Sequence, residues 1–328
     1  MNIVVLKFGG TSVADIPQIK NIALKIKLEV EKGNKVIVVV SAMSGVTNNL
    51  INLVKNTSDI PPYSEYDTVI STGEQITSAL LAIALEKISI KARSWLGWQI
   101  PIITDKTYGK SLIEKIKTDN ISKDLEVNQV AIVSGFQGVS SENRITTLGR
   151  GGSDTTAVAM AASFLAVRCD IYTDVDGVYT TDPRIVKSAK KLDIITYEEM
   201  LELASQGAKV LQARSVALAM KYGVNLRVLS SFEDLPGTSI VKEEKNMEKS
   251  EISGIAHSLN EAKITLHGVP DQPGQAADIF GTLAQHSINV DMIVQSSSIN
   301  HEVTDITFTI PETDLIIAEK AIKELQKK

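Results

Sequence analysis

The chain has 328 residues, 43% of them hydrophobic and 22% charged, with a formal net charge of -5. That length and apolar share support two domains with packed cores and no metal or disulfide staple. The acidic balance, with lysines and arginines spread along the chain, argues against a phosphate-backbone binder, so no nucleic acid partner is expected. The single cysteine, Cys169, sits in an apolar run and reads as a small buried hydrophobe in a reducing compartment. No apolar run is expected to approach the length of a membrane span and no leader pattern opens the chain, so a cytoplasmic protein without a membrane partner is expected.

Residues 2–6, NIVVL, form a β-branched run ending at Lys7, and FGGTS then leads to a helical period from Ile16. Ile19, Ile22, Ala23, Ile26 and Val30 share one face, with Asp15 as cap and Gly33 as stop. Lys7 thus falls at the carboxyl end of a strand, where open α/β sheets bind ligands, and a phosphate-binding role is preferred over a solvated edge lysine. KFGG alone has neither P-loop nor dinucleotide spacing. Residues 35–41, KVIVVVS, are apolar without alternation, as a strand covered on both faces should be. They run into AMSGVTNN, a loop whose Ser41, Ser44, Gly45, Thr47 and Asn48 suit a small polar substrate, although such residues are also ordinary loop formers. Residues 57–62 read as a surface connection. STGE at 71–74 has capping-box spacing, so a plain helix cap is one sufficient reading of Glu74.

Short strands are expected at 91–95 and 100–104, with Trp95 and Trp98 as packing residues, and a buried strand at 129–135 is followed by a polar excursion. The chain then reaches TTLGRGGSDTTAVAMA at 146–161, around which the rest is organised. Gly149, Gly151 and Gly152 permit close backbone approach, Arg150 supplies a planar fork, and the helix opening with Ser153 and Asp154 aims free amides at an anion. An ordinary capped glycine loop is the plainer alternative. A strand at 168–173 delivers DVDGVYTTDPR, read as a nucleotide loop: Asp174 or Asp176 for ribose hydroxyls, Tyr179 as a flat face, Arg184 for a phosphate or base edge. Helices at 197–204 and 207–222 put Lys209 at a helix amino end, a position that opposes the dipole unless an anion is bound. Strands at 225–230 and 238–241 precede the charged run KEEKNMEKSE, where the domain boundary is placed, giving domains 1–243 and 244–328.

Beyond it, strands at 252–259 and 262–267, a helix at 274–286, strands at 288–295 and 303–310 and a helix at 312–327 give a ferredoxin-like β-α-β-β-α order. Asp271, Pro273 and Gly274 form a turn whose amides suit an amino acid's carboxylate. The four histidines share no metal-ligand spacing, and no metal-ligating residues are assigned.

Taken in order, KFGGTSV at Lys7, SAMSGVTN at Ser41, STGEQ at Ser71, GFQG at Gly135, TLGRGGSDTTA at Thr147, YTDVDGVYTTDPR at Tyr172 and GAKVL at Gly207 resemble aspartate kinase over the whole chain. The resemblance implies a layered α/β/α amino acid kinase-type catalytic domain with an ACT-type α+β regulatory domain. It implies transfer of the ATP γ-phosphoryl group to the β-carboxylate of L-aspartate, giving 4-phospho-L-aspartate, the first step of diaminopimelate-type amino acid biosynthesis, with ATP and Mg²⁺ as cofactors. By resemblance, Lys7, Arg150, Asp154 and Lys209 are catalytic, and Ser41, Thr47, Asn48, Glu74, Gly151, Gly152 and Ser153 surround aspartate. Gly9, Gly10, Ser12, Thr173, Asp174, Tyr179, Asp182 and Arg184 join Lys7 and Lys209 at the nucleotide. Asp271, Gly274, Gln275, Ala276, Asn289, Asp291 and Gln295 match effector-facing positions for lysine or threonine, with Gln275 where an acidic residue is common.

The chemistry agrees, since a carboxylate with a reference pKa of about 3.9 needs no general base, only relief of repulsion from the polyphosphate. The family usually carries two interleaved ACT units, and this chain stops after one, leaving 252–259 as an orphan strand. A shortened form, or completion by another chain, is the expectation, with a homodimer through the ACT region or a partner regulatory chain. A kinase for glutamate or a nucleotide, and an amino-acid-binding subunit without turnover, are the alternative readings.

Overall fold

Alternation along the strand Ile3–Phe8 sets the two faces of the larger unit. Val4, Leu6 and Phe8 point to one side and pack with Ile19, Ile22 and Ile26 of the helix Ile16–Glu31 and with Leu81 and Leu85 of Thr72–Lys87. Val5 points to the other, into a core with Ala157, Val158 and Ala161 of Gly152–Ser163 and Val216 and Ala219 of Ala213–Tyr222. Each fully buried valine or leucine here contributes about 1.5–3 kcal/mol of transfer free energy. Lys7 shares the face of Val5 and is thereby directed at the Gly152–Ser163 helix.

This computed structural model describes residues 2–208, 210–242, 254–258, 260–286, 288–297 and 303–325, which form two compact units, Met1–Ala256 and His257–Lys328. In the first, eight strands lie in the order Ile194–Thr196, Thr238–Val241, Leu226–Ser230, Arg168–Thr173, Ile3–Phe8, Lys35–Val40, Val130–Ser134, Ala92–Trp95. All neighbours are parallel except Leu226–Ser230 with Thr238–Val241. The carboxyl ends of the four strands from Arg168–Thr173 to Val130–Ser134 therefore share one rim. In mid-strand, in register with Leu6, fully buried Asp170 accepts from Arg227 through Nε and Nη2, both at 2.7 Å, and from Arg168 Nε at 2.9 Å. Residues 254–256 close this unit, with Ile255 N–H donating to Thr180 O at 2.7 Å.

Several expectations are corrected. The AMSGVTNN loop becomes helix halfway, since Val46–Thr57 is helical from its second half onward. The connection expected at 57–62 is present at 58–62, and the helix Tyr63–Ile70 follows it. The polar excursion after residue 135 is a hairpin, Gln137–Ser140 with Ile145–Thr147, on a four-stranded sheet with Ile102–Thr104 and Ile113–Ile116. Its strands are too short to show a period, and its turn uses Asn143 at φ 58. The helix read from 207 starts at Ala213, so Gly207 and Ala208 lie in a preceding turn, and Lys209 lies outside the described residues. No strand forms at 254–258; the rest of the expected strand at 252–259 is outside the described residues. The stretch Tyr63–Lys87 has the length and composition of a membrane span, so the expectation that no apolar run approaches that length does not hold. Here Ile70, Leu81 and Leu85 are buried within the protein.

The second unit has the expected element order: Glu261–Pro270, the helix Gln275–Gln285, Ile293–Ser297, Val303–Pro311 and the helix Leu315–Leu325. Val303–Pro311 is the central strand of an antiparallel three-stranded sheet. Its Ile306, Phe308 and Ile310 meet Ile279 and Leu283 from one helix and Ala318 and Ile322 from the other.

Candidate active site

At the carboxyl rim of the larger sheet a cavity of about 450 Å³ opens. Lys7 enters it from the first strand, Ser41 to Ser44 from the end of the second, Glu74 from a flanking helix, and Gly149 to Asp154 from the glycine loop. Two helix amino ends face it, those of Val46–Thr57 and Gly152–Ser163. Both are N-capped by left-handed glycines, Gly45 at φ 80 and Gly151 at φ 69, and neither has a side-chain cap. The first-turn amides around Thr47, Asn48, Ser153 and Asp154 are thus left by their own sequence for an anion.

Two cations and two carboxylates line the same space. Lys7 is 8% exposed, and its Nζ lies 2.5 Å from Asp154 Oδ1. That oxygen has no other hydrogen-bond partner, so the ion pair with Lys7 is its one polar contact among the described residues. Arg150 is exposed at the cavity mouth with no carboxylate in ion-pair range among the described residues. Glu74 is 3% exposed. Its Oε1 accepts from Ala42 N–H at 3.1 Å, while Oε2 is buried without a hydrogen-bond partner. Burial pushes its pKa up to about 7, against the smaller opposing pull of the Ala42 amide. The approach depends on Gly73, where a Cβ would stand 2.7 Å from that of Ala42. Glu74 is therefore not the cap that STGE suggested: the Thr72–Lys87 helix has no side-chain cap, and Ser71 Oγ donates to Thr68 O instead.

Of the residues singled out in the sequence, Lys7, Gly10, Ser41, Thr47, Asn48, Glu74, Arg150, Gly151, Gly152, Ser153 and Asp154 line this one cavity. Gly9 sits just behind it, its N–H bonded to Tyr172 O at 3.2 Å, which joins the first turn to the end of Arg168–Thr173. Ser12 is fully buried, its hydroxyl 2.5 Å from that of Ser231, and does not reach the cavity. Thr173 and Asp174 follow on the neighbouring strand end at the same rim. Thr173 Oγ1 accepts from Val175 N–H at 2.9 Å, and Tyr179 Oη donates to Asp176 Oδ1 at 2.9 Å. Arg184 forks onto Asp182 through Nε at 3.0 Å and Nη2 at 2.8 Å. These residues form a group beside the cavity and do not line it.

In the second unit, strand register puts Asp271, Gly274, Gln275 and Ala276 at one end of the sheet, near the start of Val303–Pro311. Asn289 and Asp291 fall at the other end, where Asp291 N–H donates to Thr309 O at 3.0 Å, and Gln295 lies opposite Ile306 between them. Five residues of strand, about 17 Å, separate Thr304 from Thr309.

Sequence reasoning missed Phe136, Asp67 and Arg214. Phe136 lines the cavity at φ 69. Asp67 Oδ2 accepts from Gly109 and Thr147 N–H at 2.9 and 2.7 Å, and Arg214 donates to Leu148 O at 2.8 Å and Ser111 O at 2.9 Å. GFQG hinted at the first through a turn beside glycine; nothing in composition or spacing marks the other two.

A model of the amino acid kinase family matches residues 2–230, and an ACT domain model matches residues 264–328. An aspartate kinase of Pseudomonas putida is 51% identical over 324 residues, covering 98% of this chain and 79% of that protein. E. coli aspartokinase III in complex with aspartate and ADP, in its R-state, is 28% identical with a TM-score of 0.81, covering 94% of this chain and 78% of that one. The same enzyme with lysine and aspartate, in its T-state, gives a TM-score of 0.77 at 28% identity, over 99% of this chain and 83% of that one.

Proposed function

The chain belongs to the aspartate kinase branch of the amino acid kinase family, and on that premise we propose that it transfers the γ-phosphoryl group of ATP to the β-carboxylate of L-aspartate. One observation carries the assignment: the buried, unpartnered Glu74 Oε2 shares a cavity with Arg150, Lys7 and two uncapped helix ends. An α-amino acid with a second carboxylate complements that pattern, its ammonium at Glu74 and its α-carboxylate at Arg150 and the glycine-loop amides. The remaining carboxylate then lies toward Lys7.

Aspartate's β-carboxylate has a reference pKa of about 3.9 and attacks as the anion, so no side chain has to remove a proton. Lys7 and the Ser153 and Asp154 amides offset the charge gathered as carboxylate and phosphoryl meet, and Asp154 holds the Lys7 ammonium in place. Thr173, Asp174, Tyr179, Asp182 and Arg184 hold the nucleotide beside this cavity, with Gly9 and Gly10 at the phosphates. Mg²⁺ would be carried mainly by phosphate oxygens and water, as a small hard cation that sheds its waters reluctantly. Bound with ATP, that ion supplies further neutralisation of the phosphate charge. Lys209, outside the described residues, remains the proposed second phosphate cation.

The second unit is proposed to bind lysine or threonine as an effector. Its matching residues are spread to both ends of the sheet, so a site using all of them draws on a second copy or another chain. Met292, Ile293 and Val294, about half exposed at an edge strand, support pairing there. A reducing cytoplasmic setting fits the buried Cys169 thiol. Purified protein given ATP, Mg²⁺ and aspartate should yield an acyl phosphate trapped by hydroxylamine; its absence ends the proposal. A coupled assay with added lysine and threonine tests regulation, and a monomeric mass at micromolar concentration counts against pairing.

A further inference from the structure

The glycine loop has few side chains of its own to fix it, and Gly149 and Gly151 both take positive φ, at 77 and 69. Arg150 is carried between them, so its placement is set at the loop's entry, Thr147 and Leu148. Two charged side chains from distant parts of the chain converge there. Asp67, fully buried on the helix Tyr63–Ile70, accepts from Thr147 N–H and Thr147 Oγ1, both at 2.7 Å, and from Gly109 N–H at 2.9 Å. Arg214, in the first turn of Ala213–Tyr222, spends its fork on main-chain carbonyls, Leu148 O at 2.8 Å and Ser111 O at 2.9 Å. Ser111 N–H closes the ring by donating to Thr147 O at 2.9 Å.

Neither group has an ordinary ion-pair partner among the described residues, although Asp105 is the carboxylate whose field reaches Arg214. Both are committed to backbone. Two residues before Arg214, the Gln212 side chain lies against Gly151, where a Cβ would fall 1.8 Å from Gln212 Cγ. The loop is thus braced at its entry and at its crest by the same helix start.

We propose that Arg214 and Asp67 are positioning residues that set the register of the Gly149–Gly152 loop and through it the amino acid carboxylate site. This rests on the aspartate kinase reading for its kinetic signature. The fork matters, because one ammonium on a flexible stem does not hold two carbonyls in fixed geometry. A displacement of about 1 Å in such a loop costs up to roughly 100-fold in turnover. The nucleotide group is held by other elements and is not displaced.

The test compares R214K and D67N with the unaltered protein. Aspartate KM is expected to rise at least roughly tenfold, with kcat lowered, while ADP affinity by calorimetry changes less than about twofold. A parallel loss of ADP and aspartate binding, or an unchanged aspartate KM in folded R214K and D67N, overturns the proposal. A measurement on the unaltered protein guards against misfolded variants: the Thr147 amide, bonded to a buried carboxylate, should exchange slowly with solvent, and fast exchange counts against the brace. If the unaltered protein makes no acyl phosphate, the functional reading fails, and the exchange measurement still judges the brace.

Discussion

Replacing Glu74 by glutamine separates two consequences of one buried carboxylate. Its folded pKa of about 7 lies above the ordinary glutamate value of 4.5, so between those values the folded protein holds a proton that the unfolded chain releases. For a group shifted upward, the favourable contribution is complete below about pH 4.5 and is lost as pH rises through 7. A shift of this size corresponds to about 3 kcal/mol of lost stability at pH 8. Glutamine keeps the acceptor for Ala42 N–H and carries no charge, so E74Q should melt higher than the unaltered protein at pH 8, by about 6–12 °C, with the gap closing toward pH 4.5.

Aspartate binding should move the other way. Losing a charge-assisted contact to the substrate ammonium costs about 1.5–3 kcal/mol, a rise in aspartate KM of about 10–150-fold. In the unaltered protein, aspartate should bind more tightly as pH rises through 7 and Glu74 ionises, and E74Q should lack that dependence. Differential scanning fluorimetry from pH 4.5 to 8 and hydroxamate kinetics supply both readouts. Equal melting at pH 8 would refute the burial argument; a higher melting point with unchanged aspartate KM would remove Glu74 from the ammonium.

Lys7→Met should lower kcat by about 100- to 1,000-fold in the hydroxamate assay while the circular dichroism spectrum is retained, because the cation serves the transferring phosphoryl group. Gly151→Ala places a Cβ 1.8 Å from Gln212 Cγ at a backbone φ of 69; a loss of about 1–3 kcal/mol in urea unfolding and a raised aspartate KM are expected. Asp170→Asn, in mid-strand and not among the residues that line the cavity, leaves two guanidinium groups short of their carboxylate. With Arg227 a third exposed, about 2–3 kcal/mol of stability should be lost, while kcat and KM at a temperature where the protein is folded stay unchanged.

The parts legible in the sequence were those where a local pattern and the tertiary environment agree. Arg168–Thr173 runs over the residues its apolar pattern marks, and Ile16–Glu31 begins after its Asp15 cap, because a strand between two helix layers and an amphipathic helix each write their period into the chain. The turn after Lys7 and the Gly149–Gly152 loop were likewise visible, since glycine and cation in series have few other uses. For Glu74 the local pattern left a helix cap and a substrate contact both open, because a capping box and a cavity-facing carboxylate share the same letters; what decides is the approach of Gly73 to Ala42, a contact 31 positions apart in sequence. The helix expected from residue 207 starts at Ala213, and the short hairpin strands carry no readable period, their pairing being set by the neighbouring sheet. Asp67 and Arg214 bind backbone atoms, and backbone leaves no trace in composition.

The hydrogen bond from Ile255 to Thr180 gives the way out of the larger unit a mechanical meaning. The polypeptide leaves that unit while fastened to the loop that carries Tyr179 and Arg184. A tug on the exit from further along the chain therefore lands first on the segment proposed to grip the nucleotide, and only afterwards on the sheet. Covalent continuity alone supplies such a lever, and severing the peptide backbone just beyond Ala256 would slacken it while leaving the hydrogen bond itself in place.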